Sequence, residues 1–540
     1  MGVADPELEV KNSSVSPERD VETGDVIMVE GPLTHGLDRR LTSRHIWMIS
    51  IGSAIGEGLW LGSGGSLHSG GPASLWIGFW IAASIGWALN QSIGELAVLY
   101  PVPSAFPQWT RGLVDPAAAF MMGWTYWFSY MITIPNELAG LVTVLAYWDD
   151  SISPAVWISV FLVVLILINV FAVNVFAEAE TVMSFLKFSW IIIVVVCSIV
   201  ISAGGGPTHK STGFHYWREK PFINGFKGFL SVMPNCIFAL TGIELSGVVA
   251  AEARNPKASI PKSVQSIWLR LGFFYILGSF MVTITTNPND PNLFGSGSSA
   301  SPFVIAFKSA GLPGLAQMQN VIILISVLSS GNAAMYCSGR LLLGLAELDM
   351  APKLFKKCDS QGRPWPGFIL TTIIGGGLAY LNVDNKGSTV FGWFSNLTSL
   401  CALVVWGLIF LSSLRMRIAW KYNGRSLSEL PWKSSSMPYA AYWGLFWCLI
   451  LIVVEFYLAV WPLGAKSTAR TFFANYVSVV LMIVVYIGAK IYYRGPLWIH
   501  RQNIDLDKKR FIYTEEHDLP EPDAYQEIWT MIKGKIKKDQ

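Results

Sequence analysis

A length of 540 residues would ordinarily suggest roughly three or four soluble domains, but the composition excludes them: 14% of residues are charged, 52% are hydrophobic and the mean hydropathy is +0.44. An ordinary globular chain carries roughly 25% charge, so much of this surface must face lipid, which sets aside a soluble enzyme, a secreted disulfide scaffold and a disordered regulator. The formal net charge of +3 is too small to imply nucleic acid or an acidic partner.

Met1 to Arg40 is polar, acidic and without apolar periodicity. It has no basic start followed by an apolar core, so residues 1–44 read as a disordered cytosolic tail and not as a signal peptide. Apolar runs then follow one another, each about 20 residues and long enough to cross the hydrocarbon core as a helix. We place twelve spans near 46–69, 73–99, 116–147, 153–174, 181–203, 228–251, 264–285, 316–346, 367–383, 391–414, 440–461 and 470–493. Together they make a membrane domain over 45–493, and residues 494–540 form a second charged tail ending in Lys533, Lys535, Lys537 and Lys538. Basic residues crowd one set of connecting loops: Arg39, Arg40 and Arg44; Arg254, Lys257 and Lys262; Lys353, Lys356, Lys357 and Arg363; Arg415, Arg417, Lys421 and Arg425. By the positive-inside rule these loops and both tails are cytosolic, against the single contrary loop holding Lys210, Arg218, Lys220 and Lys227. The sequons at Asn12, Asn90 and Asn396 fall in the tail or inside spans and read as chance matches. Five of the six cysteines fall in apolar runs and read as small core residues; no CxxC pair, metal site or cofactor motif is present.

Two spans are interrupted. The first runs Gly52-Ser53-Ala54-Ile55-Gly56-Glu57-Gly58-Leu59-Trp60, with glycines around a polar residue at mid-span. The sixth runs Phe238-Ala239-Leu240-Thr241-Gly242-Ile243-Glu244. A helix broken in hydrocarbon must satisfy its backbone by lining a cavity, and amides freed at the break can hold a carboxylate. Interruptions in spans one and six suggest a five-plus-five inverted repeat with the cargo held between the breaks. The ionisable residues inside spans are Glu57, Glu95, Glu137, Lys187, Glu244 and Glu455, each a functional candidate because burial is costly. Glu95 and Glu455 lie near span ends, where snorkelling to the interface accounts for them. Lys187 can pair with a carboxylate, or gain and lose a proton during transport. No HExxH, Walker A or GxSxG motif occurs, so no enzyme chemistry competes.

Taken in order, these motifs resemble the fungal amino acid permeases of the amino acid–polyamine–organocation superfamily, from about Leu41 to Tyr513. The resemblance rests on His45-Ile46-Trp47-Met48-Ile49 with Gly56-x-Gly58-Leu59, on Gly94-Glu95-Leu96-Ala97 with Tyr100-Pro101-Val102 and Val114-Asp115-Pro116, and on Pro135-Asn136-Glu137-Leu138. It continues through Phe176-Ala177-Glu178-Ala179-Glu180, Glu252-Ala253-Arg254-Asn255-Pro256-Lys257 with Ile260-Pro261-Lys262, and Ser330-Gly331-Asn332. Ser338-Gly339-Arg340, Ala351-Pro352-Lys353, Gly362-Arg363-Pro364, Gly424-Arg425-Ser426-Leu427 and Glu429-Leu430-Pro431 complete the series.

The resemblance implies an all-α membrane protein of twelve helices with a LeuT-like fold, importing amino acids with protons across the plasma membrane. It places the substrate's carboxylate and amino group at the broken backbones Ser53, Ala54, Ile55, Gly56, Glu57 and Gly58, and Phe238, Ala239, Leu240 and Thr241. Phe238 matches an aromatic that closes over substrate, and Thr398 matches a side-chain-pocket position. Lys187 matches a lysine set where sodium sits in relatives; with Glu137 and Glu244 it is assigned to proton coupling. One position departs: the family usually has Thr or Ser where Glu57 stands. Glu57 either points away from the substrate carboxylate, stays protonated, or selects a cationic cargo. A transporter of polyamines or other specialised amines, and a non-transporting sensor, are the alternatives to amino acid import.

Overall fold

The computed structural model describes residues 56–513, apart from 103, 171–172, 249, 251–252, 254, 294–300, 360–361, 385–386 and 465, and without the side chains of 173–177, 246, 384, 387–389 and 470. Ser53, Ala54 and Ile55, and both tails up to 55 and from 514, lie outside the described residues.

The regular elements are helices. A π-helical turn at Gly58–Gly62 leads directly into α1, Ser63–Gly70. Then come α2 (Pro72–Leu99), α3 (Ala105–Leu113), α4 (Pro116–Leu145), α5 (Pro154–Val170), α6 (Val173–Ser202), α7 (Gly225–Leu240), α8 (Leu245–Val248) and α9 (Pro256–Thr285). The series ends with α10 (Pro302–Ser309), α11 (Pro313–Glu347), α12 (Trp365–Ala379), α13 (Gly387–Tyr422), α14 (Tyr439–Val460) and α15 (Ala469–Tyr493). Among the described residues, nine helices are long and apolar enough to cross a bilayer, and α5 and α7 are shorter apolar helices. The protein is thus an all-helical, multi-pass membrane protein.

Helix starts follow local chemistry. Proline, which has no amide hydrogen to leave unsatisfied, opens α2, α4, α9 and α11. Asp115 caps α4 by accepting from the Ala118 amide at 3.0 Å, and Asn255 caps α9 by accepting from Ala258 at 3.2 Å.

Burial separates core from rim. The most apolar windows of α11 and α13 are each 78% buried, against 28% for α14 and 22% for α15. The first two helices therefore form the centre with α4, while α14 and α15 present residues such as Leu449, Val453, Ile483 and Val484 to lipid.

Glu95 and Glu455 do not snorkel. Glu95 is 1% exposed and forked by Arg417, whose Nε donates to Oε2 at 2.8 Å and whose Nη2 donates to Oε1; the Ser434 amide adds a third bond at 2.9 Å. Glu455 is also buried and accepts from Ser399 Oγ at 2.9 Å. Each lies inside the bundle because a partner from a distant helix reaches it there. Glu95→Gln would leave the Arg417 guanidinium buried without its counter-charge, an expected loss of about 3 kcal/mol, readable as lower thermal stability of the detergent-solubilised protein.

The sequon asparagines inside spans are engaged in packing. Asn90 donates to Gly86 O at 3.0 Å, and Asn396 Nδ2 to Asn475 Oδ1 at 2.6 Å. All six cysteines are free.

Beyond Arg494 the chain docks back onto helix ends. The Ile499 amide donates to Val114 O at 2.8 Å, Tyr100 Oη to Leu506 O at 2.8 Å, and the Phe511 amide to Leu99 O at 3.0 Å. Arg425 forks Asp507, with Arg510 alongside, and these guanidiniums hold its carboxyl below the usual carboxylate range.

Candidate functional site

The two interrupted segments meet. A Cβ added at Gly58 would lie 2.4 Å from Ala239 Cα and 2.9 Å from Ala239 N, so backbone touches backbone there. Asn235 Nδ2 of α7 donates to Gly58 O at 3.4 Å, and its Oδ1 sits where a Gly62 side chain would start. The first segment is described from Gly56 onward, so its interruption at 53–55 lies outside the described residues. The first passes through a π turn, which leaves carbonyls and amides out of register with a regular α ladder. The second ends at Thr241, where the backbone turns extended and Gly242 takes φ +87°, a conformation open to glycine.

These breaks line a cavity with about 610 Å³ of empty space, mouth included. Its wall on α4 is one helical stripe, Tyr126, Ser129, Tyr130, Thr133 and Glu137, at the three- and four-residue spacing that places side chains on one face. Gly56, Glu57, Gly58, Phe238, Ala239, Thr241 and Glu244 face it from the breaks, and Ser330, Ala333 and Ala334 from α11.

Most sequence-derived candidates converge here. Gly56 lies against Glu137 and Ser330: a Cβ there would be 2.7 Å from Glu137 Oε1 and 2.8 Å from Ser330 Oγ. Glu57 is fully buried, makes no capping bond to its own helix, and rests its carboxylate on the bare Cα of Gly140, one turn beyond Glu137 on α4. Glu244 accepts from Tyr126 Oη and from the Gly242 amide, each at 3.1 Å, and Tyr126 Oη lies 3.1 Å from Tyr130 Oη. Phe238 packs edge-on to Phe391 at 5.6 Å.

Leu240 and Thr398 stand apart from the lining. Leu240 packs towards Gly86 of α2. Thr398 is buried on α13, and the lining residue of that helix is Ala402, one turn on.

Lys187 sits behind the cavity in a polar chain of its own. Its Nζ donates to Ser329 Oγ at 2.7 Å; Ser329 Oγ donates to Glu180 Oε1 at 2.6 Å; Nζ and Oε1 are 3.8 Å apart. Lys187 and Glu180 are both fully buried. Sequence reasoning placed the start of this span at 181 and so left Glu180 outside it; α6 begins at Val173 and carries Glu180 well within. Arg270, fully buried on α9 where the helix passes into the π stretch Leu271–Leu277, was also missed. It interacts electrostatically with Lys187 and Glu244. The rule that found Lys187, a charge inside an apolar span, would have found it too.

No group of three or more His, Cys, Asp or Glu positioned to hold a metal occurs among the described residues. A polar cavity between the two segments, lined by carboxylates and hydroxyls, suits a small polar cargo.

The amino acid permease family model matches residues 45–498. Amino-acid permease inda1 of Hypocrea atroviridis is 39% identical over 489 residues, covering 88% of this chain and 85% of its own. Cationic amino acid transporter 1 of Schizosaccharomyces pombe is 39% identical over 507 residues, covering 92% and 86%. General amino-acid permease GAP2 of Candida albicans is 38% identical over 491 residues, covering 90% and 83%. The solved structure of Mhp1, a nucleobase-cation-symport-1 family transporter with bromovinylhydantoin bound, aligns at a TM-score of 0.48 and 13% identity over 88% of this chain and 100% of that one, a likeness too loose to argue from.

Proposed function

The chain belongs to the amino acid permease family, and from that premise we propose that this multi-pass amino acid transporter imports its cargo across the plasma membrane by proton symport. The observation that carries the coupling is the buried Lys187–Ser329–Glu180 chain beside the cavity. A lysine taken out of water shifts its proton affinity readily, and its hydroxyl-bridged carboxylate supplies a fixed counter-charge. Glu137 and Glu244 on the cavity wall are the carboxylates that proton movement would reach.

In this reading the backbone at Ser53, Ala54, Ile55, Gly56 and Gly58 holds the substrate carboxylate, because amides at a helix break favour negative charge. Phe238, Ala239, Leu240 and Thr241 form the opposing break, with Phe238 closing over the cargo and Thr398 lending support from α13. Because Glu57 directs its carboxylate onto Gly140, it makes no capping bond to the amides that follow it and leaves them to the substrate. Twelve helices in a LeuT-like five-plus-five inverted repeat over 45–493, with cytosolic tails at 1–44 and 494–540, complete the proposal.

Uptake of labelled amino acids, measured in cells lacking their own permeases, should collapse when a protonophore dissipates the pH gradient. Undiminished concentrative uptake under those conditions overturns proton coupling. Ser329→Ala should slow uptake by about tenfold to a hundredfold, since a hydrogen bond to a charged group contributes about 1.5–3 kcal/mol. Ser329→Thr keeps the hydroxyl and should restore much of the rate at equal surface expression.

A further inference from the structure

Among the described residues, the cavity is lined by three carboxylates, Glu57, Glu137 and Glu244, and by no lysine, arginine or histidine. Glu180 and the cations Lys187 and Arg270 are fully buried and do not line it. Lys187 is joined to Glu180 through Ser329 and also interacts electrostatically with Glu137, and Arg270 interacts with Glu244. The four carboxylates Glu57, Glu137, Glu180 and Glu244 outnumber these two cations by two. Among the described residues no side chain pairs with either Glu57 oxygen or with Glu137 Oε2, and the two residues are 0% and 3% exposed. Their positions adjoin: Glu137 lies against Gly56, and Glu57 lies on Gly140, one turn along the same face of α4.

Two buried carboxylates so placed cannot both stay ionised without positive charge beside them. One coupled proton neutralises one of them. A zwitterionic cargo has no net charge and leaves the other uncompensated. We infer that the cargo carries a second ammonium or guanidinium group beyond its α-amino group, and that Glu57, with Glu137, is the counter-charge that selects it. The amides of the first break stay available for a cargo carboxylate, because Glu57 does not cap them. The shared chemistry fits a cationic amino acid and, lacking the carboxylate, a polyamine.

This inference rests on the transport reading, so the test separates the two. The full chain is expressed in cells lacking their own amino acid and polyamine permeases. Uptake of labelled arginine, lysine, leucine and spermidine is measured at equal surface expression, for the native chain and for Glu57→Gln and Glu57→Thr. Arginine or lysine should exceed leucine in kcat/KM by at least about tenfold, and both variants should bring that ratio down about tenfold through KM. Spermidine outpacing both cationic amino acids would assign the same counter-charge to a polyamine. A leucine preference, or a ratio unmoved by both variants, overturns the inference and leaves Glu57 a protonated packing residue. Should nothing be transported, the transport reading falls instead. Thermal stabilisation of the purified protein then decides the charge preference, with arginine required to outdo leucine in the native chain and not in Glu57→Gln.

Discussion

Lys187→Met should cut proton-driven uptake by about a hundredfold or more, and should also lower the stability of the folded protein. The second effect follows from geometry. Lys187 and Glu180 share the Ser329 hydroxyl, with Nζ 3.8 Å from Oε1 and both side chains fully buried. Removing the ammonium strands a carboxylate in the interior, and breaking a buried pair this way costs about 3–5 kcal/mol. A dead single variant therefore does not separate mechanism from misfolding. The double variant Glu180→Gln/Lys187→Met does, because it removes both charges together. It should recover most of the folded yield, since the two losses share one interaction and are not additive. It should still fail to concentrate substrate against a gradient at any external pH. Thermal stability, surface expression and uptake between pH 4 and about pH 8 are the readouts. A double variant that regains pH-driven accumulation would remove Lys187 from the coupling machinery and leave it a structural ion pair.

The membrane architecture was legible because lipid imposes it. A backbone crossing hydrocarbon must be helical and apolar for about 20 residues, so spans such as 440–461 and 116–147 lie within a few residues of Tyr439–Val460 and Pro116–Leu145. The interruption at Thr241 and Gly242 was legible for the same reason, since glycine and polar residues in mid-span are costly unless used. Partnership across the fold was not. Glu95 reads as an interfacial carboxylate until Arg417, 322 positions away, is brought to it. Glu180 reads as lying outside its span until the helix is seen to begin at Val173. The direction of Glu57 depends on Gly140 having no side chain, a fact about another helix that no local pattern carries.

Gly58→Ala is expected to cut uptake by about a hundredfold, and Gly140→Ala to impair it in a way that a second substitution repairs. The two glycines are close-approach positions of different kinds. At Gly58 the new methyl would meet Ala239 Cα at 2.4 Å, its Cβ at 2.6 Å and its N at 2.9 Å. Those atoms are mostly backbone of the opposing break and cannot swing aside, so the two broken segments must separate. Overpacking of this sort costs about 1–3 kcal/mol in an ordinary core. Here it also moves the amides that position the cargo, and a loss of about a hundredfold in kcat/KM corresponds to about 2.7 kcal/mol. At Gly140 the three atoms nearest the methyl all belong to the Glu57 carboxylate, with Oε1 at 1.6 Å, and that is the movable end of a side chain. Gly140→Ala should therefore displace that carboxylate, lowering any preference it confers, while the breaks stay in contact. Glu57→Ala added to Gly140→Ala removes the clash and should return stability to that of Glu57→Ala alone, whereas Glu57→Ala added to Gly58→Ala should repair nothing. Uptake and thermal stability of these five variants, Glu57→Ala alone included, measure both expectations. A native-like Gly58→Ala would mean that the two broken segments do not hold this contact during transport.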